Sequence, residues 1–146
     1  MLCLIFKNNL MVIDMNDLQL SKKRKLLLYN NTPYKFIIKI IPKKLNSTIL
    51  HYTIPFMDIE YELVEDSLYL NEIKQQFKCI SFKIRILLNK RDVKTKIFNN
   101  KGKRIQLDIN DINYLLKYKK LECHLEHERI CKNGICIFDI VQINVI

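Results

Sequence analysis

The sequence predicts one mostly-β domain, a small barrel with one or two short helices. The chain has 146 residues, of which 49% are hydrophobic, which is enough to build one core. From Tyr34 onwards β-branched and aromatic residues dominate, and several segments alternate apolar and polar residues with the period of a β-strand. We therefore assign residues 1–33 to an N-terminal flanking segment and residues 34–146 to a single β-rich domain.

The first half of this domain is predicted as three strands and a helix. The strands are 34–41, which stops at Pro42, 48–54 and 56–64. Asp66 and Ser67 then offer a helix cap, and Leu70, Ile73 and Phe77 follow at the spacing of one helical face. We expect a short helix over about 67–77.

The second half has the clearer alternation. In the strand predicted for 79–89, apolar residues from Ile80 to Leu88 form one face, and Lys83 and Arg85 lie on the other. The later predicted elements are a strand at 94–98, a turn at 99–102, a strand at 103–109, a short helix capped by Asp111, and a hairpin of 121–132 with 135–145. The Asn133-Gly134 pair between the last two strands predicts a type I′ turn.

Residues 79–145 thus give three strands, a short helix and two strands. That is the element order of an OB-fold, a five-stranded Greek-key barrel that binds oligonucleotides on one face. We place the OB-like core at about 79–145. A second frame is open, with strands at 35–41, 48–54 and 57–64, the helix at 67–77, and strands at 79–89 and 94–98. A generic α+β domain with an antiparallel sheet is the alternative to both.

The net charge of +10 is concentrated in one part of the chain. Residues 78–120 carry thirteen basic residues against three acidic ones, whereas residues 57–77 carry six acidic residues against Lys74. A localised basic surface is typical of proteins that bind polyanions, nucleic acid above all. We predict that ten residues form this surface: Lys83, Arg85, Lys90, Arg91, Lys94, Lys96, Phe98, Lys101, Lys103 and Arg104.

Phe98 is included because binding of single strands combines cations along the phosphates with aromatic faces for the bases. On a strand, Lys94, Lys96 and Phe98 share one face. Two interpretations of Phe98 stay open, an exposed stacking residue or a core residue behind the turn. Tyr114 and Tyr118 are weaker stacking candidates, because a surface tyrosine pair packed on the sheet explains their spacing equally well.

The segment 85–108 also resembles a known family. Its Asn89-Lys90 step, Lys94-Thr95 step, Phe98-Asn99 pair, Lys101-Gly102 turn and final Asp108 are similar to the first strand and loop of OB-folds in the large subunit of replication protein A. Residues 120–144 around Asn133-Gly134 are similar to the last two strands of that family. The resemblance implies binding of single-stranded DNA, with Phe98 stacked on a base.

Size and composition suggest a second resemblance. Small, basic OB-fold proteins rich in Ile, Lys and Asn, as encoded by AT-rich DNA, resemble the single-stranded DNA-binding proteins of yeast cytoplasmic linear plasmids and of some large DNA viruses. This resemblance implies a role in DNA replication.

Metal binding is the main alternative to nucleic-acid binding as a function of this domain. The residues that suggest it lie in the C-terminal hairpin: Cys123, His127, Cys131 and Cys136. On a straight strand, residues i and i+4 lie roughly 13 Å apart, too far to share one zinc ion. We therefore expect no metal and no cofactor, with small buried thiols and a Cys131–Cys136 cross-strand pair if the two are oxidised.

No enzyme signature is present. The two glycines, Gly102 and Gly134, cannot build a Gly-rich phosphate loop, and neither a nucleophile elbow nor a deaminase motif occurs. No segment reads as a signal peptide or a membrane helix, and five cysteines without a secretion signal favour reduced thiols. We expect a cytoplasmic, non-enzymatic protein that does not bind membranes.

The function predicted from the sequence is binding of single-stranded nucleic acid with low sequence specificity, in replication or strand protection; DNA is the favoured partner, and RNA stays open as the other. Homo-oligomers or replication proteins are the further partners this interpretation allows. The alternative is a small structural subunit of a ribosomal or transcription assembly.

Overall fold

A computed structural model describes residues 35–46, 55–65 and 67–146, with Leu68 and Tyr69 as backbone alone. It also describes the backbone of five short strands nearer the N-terminus: β1 (Leu2–Phe6), β2 (Asn9–Ile13), β3 (Gln19–Leu20), β4 (Leu27–Tyr29) and β5 (Thr32–Pro33). Strands β1 and β2 form one antiparallel sheet, and β3, β4 and β5 form another. The strand predicted at 48–54 lies outside the described residues, and so do four consecutive basic residues of the N-terminal segment, Lys22, Lys23, Arg24 and Lys25.

A closed barrel of five long strands follows. The strands are β6 (Lys35–Asn46), β7 (Phe56–Leu63), β8 (Ser81–Asn89), β12 (Leu121–Ile130) and β13 (Ile135–Val145). Around the barrel the order is β6, β7, β8, β13, β12 and back to β6; the β8–β13 pair is parallel and the others are antiparallel. The prediction of a mostly-β, OB-like five-stranded Greek-key barrel is confirmed.

The remaining elements lie in the two connections that flank β8. Helix α1 (Leu68–Gln76) joins β7 to β8. Between β8 and β12 lie the short strands β9 (Asp92–Val93), β10 (Lys96–Phe98) and β11 (Arg104–Ile105), and then a 3-10 helix (Ile112–Lys117).

The barrel differs from both predicted frames. Its first two strands, β6 and β7, precede the core predicted at about 79–145, which supplies only β8, β12 and β13. Residues 94–98 and 103–109, predicted as barrel strands, form the two short strands β10 and β11, and β10 pairs with β13 outside the closed ring. Pairing between segments far apart in the sequence determines which five strands form the barrel. The alternation within one segment does not indicate the segment with which it pairs.

Alternating residues fill the core as predicted. Phe36, Ile38 and Ile40 point inward from β6, and the inward residues of the other barrel strands are Met57, Ile59, Ile84, Ile86, Leu88, Leu121, Cys123, Leu125, Phe138, Ile140 and Ile143. The rings of Phe36 and Phe138 pack edge to face with their centroids 5.0 Å apart.

Strand β6 does not stop at Pro42. It continues to Asn46, and its register with β7 shifts between Pro42 and Lys44. A proline is tolerated at a β-bulge because the ladder hydrogen bonds are already interrupted there. The missing N–H group of proline then costs no regular hydrogen bond.

Helix α1 is confirmed together with its cap. The Ser67 hydroxyl accepts a hydrogen bond from the Leu70 N–H at 3.2 Å. Leu70 and Ile73 are buried in the core, and Phe77 packs against it.

Two predicted details of the chain reversals are wrong. Asp111 makes no side-chain cap; instead the Asp108 carboxylate accepts hydrogen bonds from the N–H groups of Asn110 and Asp111, at 2.9 and 3.0 Å. The final hairpin does not use a type I′ turn, which needs two left-handed residues, because in its turn only Gly134 has a positive φ, of 85°.

Candidate nucleic-acid interface

The predicted cations divide into a large exposed group and two exceptions. Exposed side chains belong to Lys90, Arg91, Lys94, Lys96, Lys101, Lys103 and Arg104, all on the connection between β8 and β12. The exceptions are Lys83, which is exposed and lies 3.9 Å from the Asp58 carboxylate, and Arg85, which is buried.

Arg85 belongs to the barrel wall. Only 7% of the residue is exposed; its Nε donates a hydrogen bond to Asp139 Oδ1 at 2.9 Å, and its Nη2 forms an ion pair with the same oxygen at 2.8 Å. Its guanidinium carbon lies 4.0 Å from the centre of the Phe56 ring. Sequence alternation correctly placed Arg85 off the core face, but Phe56 and Asp139 cover it there, so Arg85 has no accessible charge to offer a phosphate.

A buried threonine positions the basic connection. The Thr95 hydroxyl accepts a hydrogen bond from the Leu87 N–H at 2.9 Å and donates one to the Ile140 carbonyl at 2.6 Å. It thereby fixes the start of β10 against both β8 and β13. Because Thr95 and Ile97 are buried, their neighbours Lys94, Lys96 and Phe98 are directed outwards.

The turn after β10 presents two further lysines. Asn99 Oδ1 accepts hydrogen bonds from the N–H groups of Lys101 and Lys103, both at 2.9 Å. Gly102 has a φ of 78°, a conformation that glycine adopts without strain. The predicted turn at 99–102 is confirmed, and it holds Lys101 and Lys103 at the exposed tip.

Phe98 lies between the two alternatives left open by the sequence. It is half-buried on the outer face of β10, while its neighbour Ile97 fills the core. Across the β10–β11 pair Phe98 is opposite Arg104, and Lys96 is two residues away on the same face. On this outer face Phe98 therefore has basic residues at the next position along β10 and at the position across from it on β11.

Most of these cations are electrostatically unpaired. No carboxylate of the described residues lies within 4.0 Å of the charged group of six of them: Lys90, Lys94, Lys96, Lys101, Lys103 and Arg104. Unpaired cations on a scaffold held by backbone hydrogen bonds give a surface of strong positive potential.

A polar network continues this surface, and sequence reasoning missed it. Glu122 and His124 point outward from β12, and Gln142 and Asn144 point outward from β13 beside them. Asn144 Nδ2 donates to Glu122 Oε1 at 3.1 Å, and Gln142 Nε2 donates to Asn144 Oδ1 at 3.0 Å. His124 Nε2 lies 3.1 Å from Glu122 Oε1.

The strand register joins this network to Phe98. On β13, Asn144 is opposite Phe98 of β10 on one side and Glu122 of β12 on the other, and Gln142 is likewise opposite Lys96 and His124. Alternation in β12 and β13 was a usable signal that these four polar residues face outward. Their position beside β10 could not be predicted in this way, because the pairing of β10 with β13 joins segments more than forty residues apart.

Several negatively charged side chains lie on another part of the barrel, along β7. Pairing of β7 with β8 ends at Ile59 opposite Ile84, and beyond this point the two strands diverge around a groove of about 750 Å³. Asp58, Glu60 and Glu62 line the groove. In OB-folds the corresponding second and third strands carry the ligand-binding face. In this chain that face carries three carboxylates, of which Asp58 lies 3.9 Å from Lys83 and Glu62 lies 3.2 Å from Lys43, so its lysines are not free for phosphates.

Tyr114 and Tyr118 pair with each other as the alternative interpretation expected. Their rings pack edge to face with centroids 5.2 Å apart, and the Tyr118 hydroxyl donates to that of Tyr114. This hydrogen bond is the main cause that raises the pKa of Tyr118 to about 12. Tyr114 is exposed, whereas Tyr118 packs partly against the core.

The cysteines and His127 lie apart from the basic surface. Cys123 and Cys136 are buried, and desolvation raises the pKa of both thiols. Cys136 is opposite Ile130 rather than Cys131 and contacts His127, with 3.1 Å between Sγ and Nε2. Among the described residues, no three His, Cys, Asp or Glu side chains are placed to hold a metal ion.

No helix in the described part of the chain is long and apolar enough to cross a membrane. Comparison of the chain with protein-family models, with curated proteins and with solved structures finds no match in any of the three.

Proposed function

We propose that this protein binds single-stranded nucleic acid, DNA in particular, with low overall sequence specificity, and that it serves strand protection or replication. The observation that carries the proposal is the outer face of β10 and β11, where half-buried Phe98 shares its face with Lys96 and is opposite Arg104 in the strand register, among unpaired cations. A single strand needs this combination, because cations neutralise its phosphates while an aromatic ring stacks on an unpaired base.

The binding surface that we propose is smaller than the one predicted from the sequence. It consists of Lys90, Lys94, Lys96, Phe98, Lys101, Lys103 and Arg104, with Arg91 at its edge. Lys83 is left out because it pairs with Asp58 beside the acidic groove, and Arg85 because it is buried. The strand would therefore run over the β8–β12 connection and β13, away from β7.

A charge-reversal variant tests the location. Changing Lys94, Lys96 and Lys103 to Glu removes three phosphate contacts and adds three repulsive charges. We expect the affinity for a labelled 20-nucleotide single strand to fall at least ~30-fold at 0.15 M salt, where the Debye length of about 8 Å restricts the effect to nearby charges. Fluorescence anisotropy measures it, and circular dichroism checks that the variant is folded.

The matched control reverses three lysines near the other end of β13. Lys74 lies in the last turn of α1, Lys78 follows that helix, and Lys132 lies in the final hairpin turn. The hydrogen bond from the Ile80 N–H to the Gly134 carbonyl, at 2.8 Å, brings these segments together. The control should stay within about threefold of the unmodified protein. Equal losses in both variants would contradict the assigned surface, and no measurable binding of isolated strands would favour the structural-subunit alternative.

A further inference from the structure

The polar network beside Phe98 forms a small, ordered array with the basic strand. Two rows of side chains cross the outer face from β10 to β13 to β12: Phe98, Asn144 and Glu122 in one row, and Lys96, Gln142 and His124 in the other. Adjacent strands lie about 4.8 Å apart, so a base stacked on Phe98 is within reach of the neighbouring amide and carboxylate groups.

Within this array, two side-chain oxygens receive no hydrogen bond from a described residue and can accept one from a ligand. Asn144 and Gln142 each use an amide N–H within the network, and Glu122 Oε1 receives the bond from Asn144. No described residue donates to the other carboxylate oxygen of Glu122 or to Gln142 Oε1. Both residues lie partly exposed on the outer faces of β12 and β13, beside the surface on which the strand would lie.

Acceptor groups discriminate between bases. Cytosine, adenine and guanine carry an exocyclic amino group that donates hydrogen bonds, whereas thymine and uracil present a carbonyl oxygen at the position of the cytosine amine. The one ring donor of thymine and uracil, N3–H, lies between two carbonyl oxygens, so a carboxylate that approaches it also meets an acceptor that stays unpaired, which is costly at a partly desolvated site. The same carboxylate disfavours a phosphate, so the array suits a base, while Lys96 and Arg104 on either side of Phe98 suit the backbone.

We propose that Glu122, held by Asn144 and assisted by Gln142, accepts a hydrogen bond from the exocyclic amino group of one base stacked near Phe98. This gives the protein a local preference for amino-bearing bases over thymine or uracil within otherwise unspecific binding. The inference rests on the proposed function and names the base chemistry that this same surface selects.

Two pyrimidine homopolymers test it. We expect the unmodified protein to bind (dC)12 about 5- to 10-fold more tightly than (dT)12 at pH 7.5 and 0.15 M salt, in line with the discrimination that base-edge hydrogen bonds provide. Glu122→Gln should bring the two affinities within twofold, mainly by weakening binding of (dC)12, because an amide is a poorer acceptor than a carboxylate.

The control is Glu126→Gln, which makes the same charge change four residues further along β12, on the same outward face. Glu126 lies 3.7 Å from Lys35 and is outside the network. This variant should keep the preference for (dC)12. Equal affinities for (dC)12 and (dT)12 in the unmodified protein, or a preference that survives Glu122→Gln, would overturn the inference and leave the proposed function standing. Failure to bind either homopolymer would instead overturn the proposed function.

Discussion

His127 shows at the scale of one residue how burial decides chemistry. It is 1% exposed, its ring packs edge to face on Phe138, and Cys136 Sγ lies 3.1 Å from its Nε2. Burial disfavours the imidazolium and lowers the pKa of His127 from 6.5 to about 3. The sequence offered His127 as a metal-ligand candidate, and the structure places it in the packed wall of the barrel.

This burial predicts a pH-dependent stability. Between pH 6.5 and about 3 the unfolded chain binds a proton at His127 that the folded chain excludes, so acidification favours unfolding. The contribution is largest above pH 6.5 and falls by up to about 1.4 kcal/mol per pH unit within this window. Urea unfolding at pH 7, 5.5 and 4.5 measures it, since the His127→Gln variant should lose less stability on acidification than the unmodified protein. Parallel pH profiles would show that His127 is not the group responsible.

The sequence pattern predicted the direction of a side chain more successfully than it predicted the residues that the side chain contacts. The alternation in β8 placed Arg85 off the core face, as observed. The partners of Arg85 come from β7 and β13, and a sequence pattern in β8 does not encode them. For this reason an arginine predicted to bind phosphate is a structural residue.

At the scale of elements, the parallel β8–β13 pair closes the barrel. Arg85 and Asp139 are directly opposite each other in this pair, and their ion pair is largely shielded from water. Removing one partner leaves a poorly solvated charge on the other, which costs far more than losing an exposed pair.

Two alanine variants on the same strand test this role. Arg85→Ala should lower the free energy of unfolding by about 3 kcal/mol, because Asp139 loses its partner and Phe56 its covering group. Lys83→Ala removes the exposed pair with Asp58 and should cost less than about 0.5 kcal/mol. Urea midpoints at unchanged m-value give both numbers. Equal costs for the two variants would refute the structural assignment of Arg85.

Elements governed by local chemistry could be predicted from the sequence, and their pairing could not. Helix α1 follows from the Ser67 cap and its apolar spacing, and the 99–102 turn follows from Asn99 and Gly102. By contrast, β13 exchanges β8 for β10 as its parallel partner after Ile140, a switch that depends on residues far apart in sequence. This switch brings Asn144 beside Phe98 and Gln142 beside Lys96, and the sequence alone could not predict that the polar network adjoins the basic surface.

At the scale of the whole molecule, the charge is segregated around the barrel. The acidic residues of β7 line the groove beside β8, and the unpaired cations lie on the connection that pairs with β13. Around the ring, β7 is separated from β13 by β8 on one side and by β6 and β12 on the other. A polyanion would be attracted to the unpaired cations on the β10–β13 side rather than to β7, where Asp58 and Glu62 are paired with Lys83 and Lys43.

The salt dependence of binding tests this account most directly. If four to six of the unpaired cations contact phosphates, a plot of the logarithm of the binding constant against that of the salt concentration is a straight line with a slope of about −3 to −4. For the variant with Lys94, Lys96 and Lys103 changed to Glu, the slope should be shallower by about 2. A binding constant that does not change with salt, or a slope that this variant leaves unaltered, would contradict the claim that the surface around Phe98 binds single-stranded nucleic acid.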